Sequence, residues 1–261
     1  MAQVEGRYEG SRRRGLLMAL SWSQFNMWRD CPYKWYGFYR LKLVPRVKNI
    51  HFSVGSATHD AIQKALSAWQ YKSRLTVAEM VGVFSKYLQD DGVVSDPDTL
   101  QYWTLSAQNM FQGWMGWAST HEIEVEALEK KVVTTNFLGY IDCIARVDSQ
   151  RYIIDWKTSS SAYDQKRADT DDQVTVYRWL DGCTPDTKVA YGVLIKGTSR
   201  FQFLESERTD EDVSKLTSEI RGMEDTTTTY GVDDMPEKRP GSPCKWCELY
   251  SMGHCEGEDD F

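Results

Sequence analysis

Two apolar segments joined by a polar turn constrain this chain more than any other feature. Residues 137–147 and 152–158 are rich in isoleucine and aromatic residues, whereas Asp148-Ser-Gln-Arg151 between them is polar. Residues that favour β structure on both sides of a polar turn indicate a β-hairpin. We therefore expect two antiparallel strands here.

The hairpin should bring three charged side chains together. Asp142 lies in the first strand and Asp155 in the second, and Lys157 follows Asp155 by two positions, which places both on one face. Facing aspartates repel each other unless a cation lies between them, and Mg²⁺ or Mn²⁺ prefers oxygen ligands. The pattern predicts a metal site with a lysine beside it. The alternative is a surface hairpin whose charged side chains are merely solvated.

Length and composition set limits on the class of protein. The 261 residues suffice for one α/β domain with appendages. No run of eighteen apolar residues suggests a membrane span, and residues 1–20 lack the apolar centre of a signal peptide. We expect a cytoplasmic protein without membrane contact. In that reducing compartment, metal or cluster ligation by the six cysteines outranks disulfide formation.

The net charge of −7 is unevenly distributed along the chain. Residues 1–50 carry a net charge of +7, so residues 51–261 carry −14. Arg12, Arg13 and Arg14 in this basic segment favour contact with nucleic-acid phosphates. A solvated basic tail is the alternative, and the interleaved aromatic residues would either stack on bases or face the core.

The cysteines near the C-terminus form the second constellation. Cys244 and Cys247 can bind one metal centre from a tight turn, and Cys255 closes the loop. Cys31 is the candidate fourth ligand, because the two remaining cysteines lie in the hairpin and near a predicted helix end. Zinc or an iron–sulfur centre would suit these ligands, and with zinc His254 could replace a cysteine. Either centre would connect the two ends of the chain across a long loop.

The hairpin motifs resemble the PD-(D/E)XK nuclease superfamily, and in particular its RecB-like branch. The matching residues are Gly139-Tyr-Ile-Asp142 followed by Asp155-Trp-Lys157. The resemblance extends from Ser21 to Cys255. The members of this branch that the chain resembles are the CRISPR-associated RecB-like exonucleases and AddB-type nuclease domains. It implies an α/β restriction-endonuclease-like core with a mixed central sheet flanked by helices, an N-terminal helical region and a C-terminal Cys-rich segment.

The resemblance also implies roles for residues outside the two hairpin motifs. They are His59 as a nitrogen ligand, the Trp156 carbonyl and Glu129 as oxygen ligands, and Gln173 and Tyr177 beside the DNA strand. Gly55 precedes His59 by one helical turn and would permit close backbone approach. A hydrogen-bonded histidine and an ordinary amphipathic helix are the alternatives for His59 and for the pair Gln173 and Tyr177.

The resemblance further implies a cofactor and an activity. The cofactor is a [4Fe–4S] cluster on Cys31, Cys244, Cys247 and Cys255, with structural Zn²⁺ as the alternative. The activity is that of a metal-dependent exonuclease on single-stranded DNA ends, with protein partners in recombination, repair or CRISPR adaptation. A non-catalytic DNA-binding or assembly subunit and an endonuclease of the same fold are the competing functions.

The predicted organisation has three parts. Residues 1–20 form the basic tail, residues 21–225 the nuclease domain with a helical region at 54–120, and residues 226–261 a linker and the Cys-rich segment. Further expected elements are a helix from Ser21 to about Arg29, a second helix from Pro32 to about Leu41, and helices over 76–90 and 98–120. The helix over 98–120 carries an aromatic stripe that we expect to pack in the core, namely Trp103, Phe111, Trp114 and Trp117. A strand at 132–134, a hairpin at 188–205 and helices from 173 and over 210–223 are also expected.

Overall fold

The computed structural model describes residues 19–44, 49–94, 96–230 and 235–256. The first described segment is helical. Helix α1 spans Trp22–Asp30, and its N-terminus is capped by Ser21, whose side chain accepts a hydrogen bond from the Gln24 amide. Helix α2, Pro32–Trp35, begins at the proline, as predicted, and continues into a π-helical turn at Tyr36–Arg40.

Three longer helices form one layer of the fold. They are α3, Ile50–Gln70, α4, Val77–Asp90, and α5, Pro97–Ala118. Helix α3 begins four residues before its predicted start at 54, because the Asn49 side chain accepts a hydrogen bond from the His51 amide and caps the helix earlier.

The sheet has five strands in the order β1-β2-β3-β4-β5. They are β1, Ile123–Val133, β2, Leu138–Val147, β3, Gln150–Ser159, β4, Thr187–Ile195, and β5, Phe201–Ser206. Strands β3 and β4 are parallel and the other neighbours are antiparallel, so the sheet is mixed. This confirms the predicted hairpin and the predicted α/β fold. The turn between β2 and β3 is Asp148 and Ser149, both with positive φ.

Strand β1 is longer than the predicted segment at 132–134. Its first half alternates apolar and acidic residues from Ile123 onwards, and the apolar ones are the less exposed. This period of two is the signature of a strand with one covered face, so the glutamates belong to a strand instead of a loop.

The second layer and the C-terminal segment complete the fold. The helices of the second layer are α6, Gln165–Thr170, α7, Gln173–Leu180, and α8, Asp210–Thr229. The C-terminal segment contains a 3₁₀ turn at Ser242–Trp246 and helix α9, Glu248–Ser251. Helix α8 extends past its predicted end at 223, so the predicted linker begins inside a helix. The reason is that Thr227 continues the buried stripe of Ile220 and Met223. Helix α6 was not predicted.

The sheet lies between two apolar clusters. One cluster joins α3, α4 and α5 to one face, and it includes the fully buried Phe111 and Trp114, as predicted for this aromatic stripe. The other joins α1, α7 and α8 to the opposite face. Among the described residues, no helix combines the length and apolar character that crossing a membrane requires.

Candidate active site

The site lies where strands β2 and β3 cease to pair. Their ladder extends from Val147 and Gln150 to Cys143 and Ile154, and Asp142 comes directly after the last pair. The Trp156 amide donates a 3.0 Å hydrogen bond to Oδ2 of Asp142. The Asp142 carboxylate therefore accepts the hydrogen bond that a backbone carbonyl of a paired strand would otherwise accept. This bond fixes the orientation of the carboxylate.

Three potential metal ligands converge at this point. One ligand atom each from His59, Glu129 and Asp142 lies within 4.8 Å of the others. Nδ1 of His59 lies 3.3 Å from Oδ2 of Asp142. Helix α3 supplies the imidazole, β1 supplies Glu129 and β2 supplies Asp142, so three separate elements meet here.

Burial determines the electrostatics of this group. It lowers the pKa of His59, which favours the neutral imidazole that can ligate a metal. Burial, together with the negative charge of Asp155, raises the pKa of Asp142 well above its ordinary value. Burial also raises the pKa of Glu129. A divalent cation would relieve the cost of keeping these carboxylates ionised, so the donor set fits Mg²⁺ or Mn²⁺.

Asp155 is fully buried beside this group. Its Oδ1 atom has no hydrogen-bond partner among the described residues, whereas Oδ2 lies 2.6 Å from Nζ of Lys157. A buried carboxylate oxygen without a partner is costly, and a cation would supply the missing interaction. Burial alone would lower the pKa of Lys157, but the Asp155 carboxylate outweighs it and raises that pKa.

Lys157 is connected to helix α7. Its Nζ donates a 2.7 Å hydrogen bond to Oε1 of Gln173, and Nε2 of Gln173 donates a 2.8 Å hydrogen bond to the Tyr177 hydroxyl. Burial raises the pKa of Tyr177 well above its ordinary value, so the phenol stays protonated at neutral pH. The structure thus brings Gln173 and Tyr177 to the hairpin lysine.

Three residues that extend the contacts around Lys157 and Gln173 were not foreseen from the sequence. The Tyr191 ring centroid lies 5.8 Å from Nζ of Lys157, and Tyr191 stands opposite Asp155 on the parallel strand β4. Asp171 accepts a 3.0 Å hydrogen bond from the Gln173 amide. Arg208 is buried and donates to the carbonyl of Asp171. No local motif marks these residues, because each is far from Lys157 in sequence.

The glycine on α3 has a smaller role than expected. A Cβ atom at Gly55 would lie 3.9 Å from Oγ1 of Thr158, which is an ordinary contact distance. The expected close backbone approach is therefore wrong at this position. Closer packing is found at Gly139, where a Cβ would lie 2.2 Å from Cδ1 of Leu180.

The four predicted cluster ligands line one cavity of about 410 Å³, with residues of the N-terminal helices and the C-terminal segment around it. These ligands are Cys31, Cys244, Cys247 and Cys255. Thiols are the ligands that an iron–sulfur cluster or zinc prefers. Among the described residues, however, no three of these thiols lie within 4.8 Å of one another, as the ligands of a single zinc ion would. His254 is not among the lining residues. Its carbonyl accepts a hydrogen bond from the Tyr33 hydroxyl instead.

The predicted nucleic-acid contacts Arg12, Arg13 and Arg14 lie outside the described residues. The same holds for the rest of the basic tail before residue 19. Their role stays a prediction.

A histidine, buried carboxylates and a lysine beside a mixed sheet form the kind of site found in metal-dependent nucleases. Residues 19–252 match the PD-(D/E)XK nuclease superfamily, and the chain belongs to this superfamily. A solved structure named "Crystal structure of SSO0001" is similar to the chain, with a TM-score of 0.32 and 18% identity over 77% of this chain and 85% of that one. No match was found among curated proteins.

Proposed function

We propose that the protein is a metal-dependent DNA exonuclease that hydrolyses phosphodiester bonds at single-stranded ends. The observation that carries this proposal is the position of Lys157. Nζ of Lys157 lies 2.6 Å from Oδ2 of Asp155 and 2.7 Å from Oε1 of Gln173. The negative charge of Asp155 in turn contributes to the raised pKa of Asp142, which is one of the three grouped donor residues. A purely structural hairpin would not require this concentration of buried charge.

Four side chains and one backbone group would hold the metal. They are His59, Glu129, Asp142, Asp155 and the Trp156 carbonyl. A bound Mg²⁺ or Mn²⁺ supplies a Lewis acid for the scissile phosphate and lowers the pKa of an attacking water. The protein contributes ligands whose orientation is already set, since Asp142 is held by the Trp156 amide.

Lys157 acts on the reacting groups. Its ammonium orients the attacking water or stabilises the negative charge that develops on the phosphate. Gln173 holds this ammonium through its Oε1 atom, and the Tyr177 hydroxyl in turn accepts a hydrogen bond from Gln173. This chain of contacts restricts the lysine to one position, and Gln173 and Tyr177 line the path of the strand.

The cysteine cavity supports a second part of the proposal. We assign a [4Fe–4S] cluster to Cys31, Cys244, Cys247 and Cys255, with Zn²⁺ as the alternative occupant. The cluster would act as a structural connection between the two chain ends and takes no part in hydrolysis.

We further propose that the protein acts in DNA recombination, repair or CRISPR adaptation, with protein partners from those processes. The motifs that support this placement are the hairpin pair, the Gln-x-x-x-Tyr helix and the divided cysteine set.

The proposed activity is tested by incubating purified protein with labelled linear and circular single-stranded DNA. We expect cleavage of the linear strand in Mg²⁺ or Mn²⁺ and none in EDTA. The circular strand should remain intact because it has no end. Asp142→Asn keeps the shape of the side chain but removes its charge, so it should abolish cleavage while DNA binding persists.

Three results would contradict this proposal. Wild-type protein without metal-dependent cleavage of any DNA, or an Asp142→Asn variant that cleaves at the wild-type rate, would favour a non-catalytic subunit. Cleavage of the circular strand would show an endonuclease of the same fold.

A further inference from the structure

An aromatic surface lies at the N-terminal end of α3, outside the candidate active site. The side chains of Phe52 on α3 and Tyr102 on α5 are 67% and 62% exposed. Trp103, also on α5, is 6% exposed. Its ring centroid lies 5.1 Å from that of Tyr102 and 5.6 Å from that of His51 on α3. Two large aromatic side chains thus stay in solvent, and each is the sequence neighbour of a member of the His51–Trp103 ring contact, which brings the two helices together.

A cation accompanies these aromatic residues. Nζ of Lys196 lies 5.7 Å from the Trp103 ring centroid. In the part of the chain that the structure describes, Lys196 forms no ion pair with a carboxylate. Burial lowers its pKa, so its ammonium is partly desolvated and would gain from an anionic partner. We call Phe52, Tyr102 and Lys196 the stacking surface.

The stacking surface borders the candidate active site. The Lys196 amide donates a 2.8 Å hydrogen bond to the carbonyl of Ser159, which ends β3 two residues after Lys157. On α3, Phe52 precedes His59 by seven residues, which is about 10 Å along a helix. A strand bound at the metal could therefore extend onto the stacking surface.

We propose that bases of single-stranded DNA stack on Phe52 and Tyr102 while Lys196 contacts a phosphate of the same strand. The occupant must present both flat apolar faces and negative charge. A single strand does so, whereas the base faces of a duplex are already covered by their neighbours. The proposal rests on the proposed function in that this strand is the nuclease substrate.

The stacking surface is tested by binding a fluorescently labelled oligothymidine strand and a blunt duplex. Binding is measured by fluorescence anisotropy in Ca²⁺, and a gel verifies that the DNA stays intact. Tyr102→Ala and Phe52→Ala should each weaken single-strand binding about tenfold and leave duplex binding unchanged, because each removes one stacking partner. Lys196→Gln should reduce the slope of log K against log salt by about 0.7.

Tyr71→Ala is the matched control. Tyr71 is 82% exposed and lies at the opposite end of α3, about 28 Å from Phe52 by helical rise. It should bind single strands like the wild type. Phe52→Ala and Tyr102→Ala variants that bind like this control, or that lose single-strand and duplex binding equally, would overturn the stacking surface.

Cleavage assays separate this proposal from the proposed function. If the wild type fails to cleave DNA but Phe52→Ala and Tyr102→Ala still weaken single-strand binding selectively, the stacking surface stands and the nuclease activity fails.

Discussion

Glu129 shows how one glutamate in an acidic run becomes a candidate ligand. Glu126, three residues earlier, pairs with Arg146 on β2 and with Arg151 on β3. Glu129 instead meets His59 and has a φ of 46°, in the left-handed region that costs a non-glycine residue of order 1–3 kcal/mol. Strain of this kind persists where the surrounding structure imposes it, and here it accompanies the donor group.

Lys157→Ala is the sharpest test at the residue scale. The substitution removes the ammonium assigned to the reaction but none of the proposed metal ligands. We expect the cleavage rate to fall about 100-fold or more, which is the loss typical of removing one preorganised donor. Metal affinity, measured by calorimetry, should stay within a few-fold of the wild type.

Lys86→Ala provides the control for that substitution. Lys86 is exposed and pairs with Asp90 within α4, so its removal should leave cleavage unchanged. Equal rates for Lys157→Ala and Lys86→Ala would remove Lys157 from the mechanism.

At the scale of the elements, strand β4 supports the hairpin through a glycine. A Cβ atom at Gly192 would lie 2.3 Å from two indole carbons of Trp156. Trp156 lies between Asp155 and Lys157 on the adjacent parallel strand, and its amide holds Asp142. The absence of a side chain at Gly192 therefore allows the Trp156 indole to pack closely against β4.

Gly192→Ala should consequently destabilise the fold by about 1–3 kcal/mol, because the indole or the strand must shift. Urea denaturation followed by circular dichroism measures this change in the free energy of unfolding. Gly82→Ala is the opposite case. A Cβ atom there meets nothing within 4 Å in the interior of α4, so we expect stabilisation by about 0.4–1 kcal/mol. A Gly192→Ala variant as stable as the wild type would contradict the close packing.

At the scale of the whole molecule, the C-terminal segment is attached to the N-terminal helices. Lys34 forms a 2.8 Å ion pair with Glu248, and Arg239 donates a 2.9 Å hydrogen bond to the carbonyl of Arg29. Arg29 also pairs with Asp172, directly before Gln173. A continuous series of contacts therefore connects the segment around the cysteine cavity with Asp172 at the start of helix α7.

Cys31→Ala tests whether a cluster completes this attachment. Protein purified without oxygen should contain about four iron atoms in the wild type. The variant should lose the iron and unfold at lower temperature, because the long loop between the chain ends is no longer closed. Iron analysis, visible absorption and thermal denaturation report these changes.

Cys183→Ala is the matched control, since Cys183 does not line the cavity. It should keep the wild-type iron content and stability. A colourless wild-type protein with stoichiometric zinc and no iron would contradict the cluster.

The sequence alone determined the elements and the chemistry of the hairpin. Local patterns sufficed for this, because alternation, caps and turn residues act over a few positions. They predicted the β2–β3 hairpin, α1, the helices over 76–90 and 98–120, and the order of the charged motifs. They also identified Asp142, Asp155 and Lys157 as residues to be brought together, and the resemblance to PD-(D/E)XK nucleases added His59.

Tertiary structure alone decided which groups contact each other. It placed Glu129 with His59 and Asp142, and it paired Asp155 with Lys157. It also set Tyr191 beside Lys157 through a parallel strand pair whose register no local pattern encodes. These contacts join distant segments, and their geometry follows from packing of the whole sheet and its two helical layers.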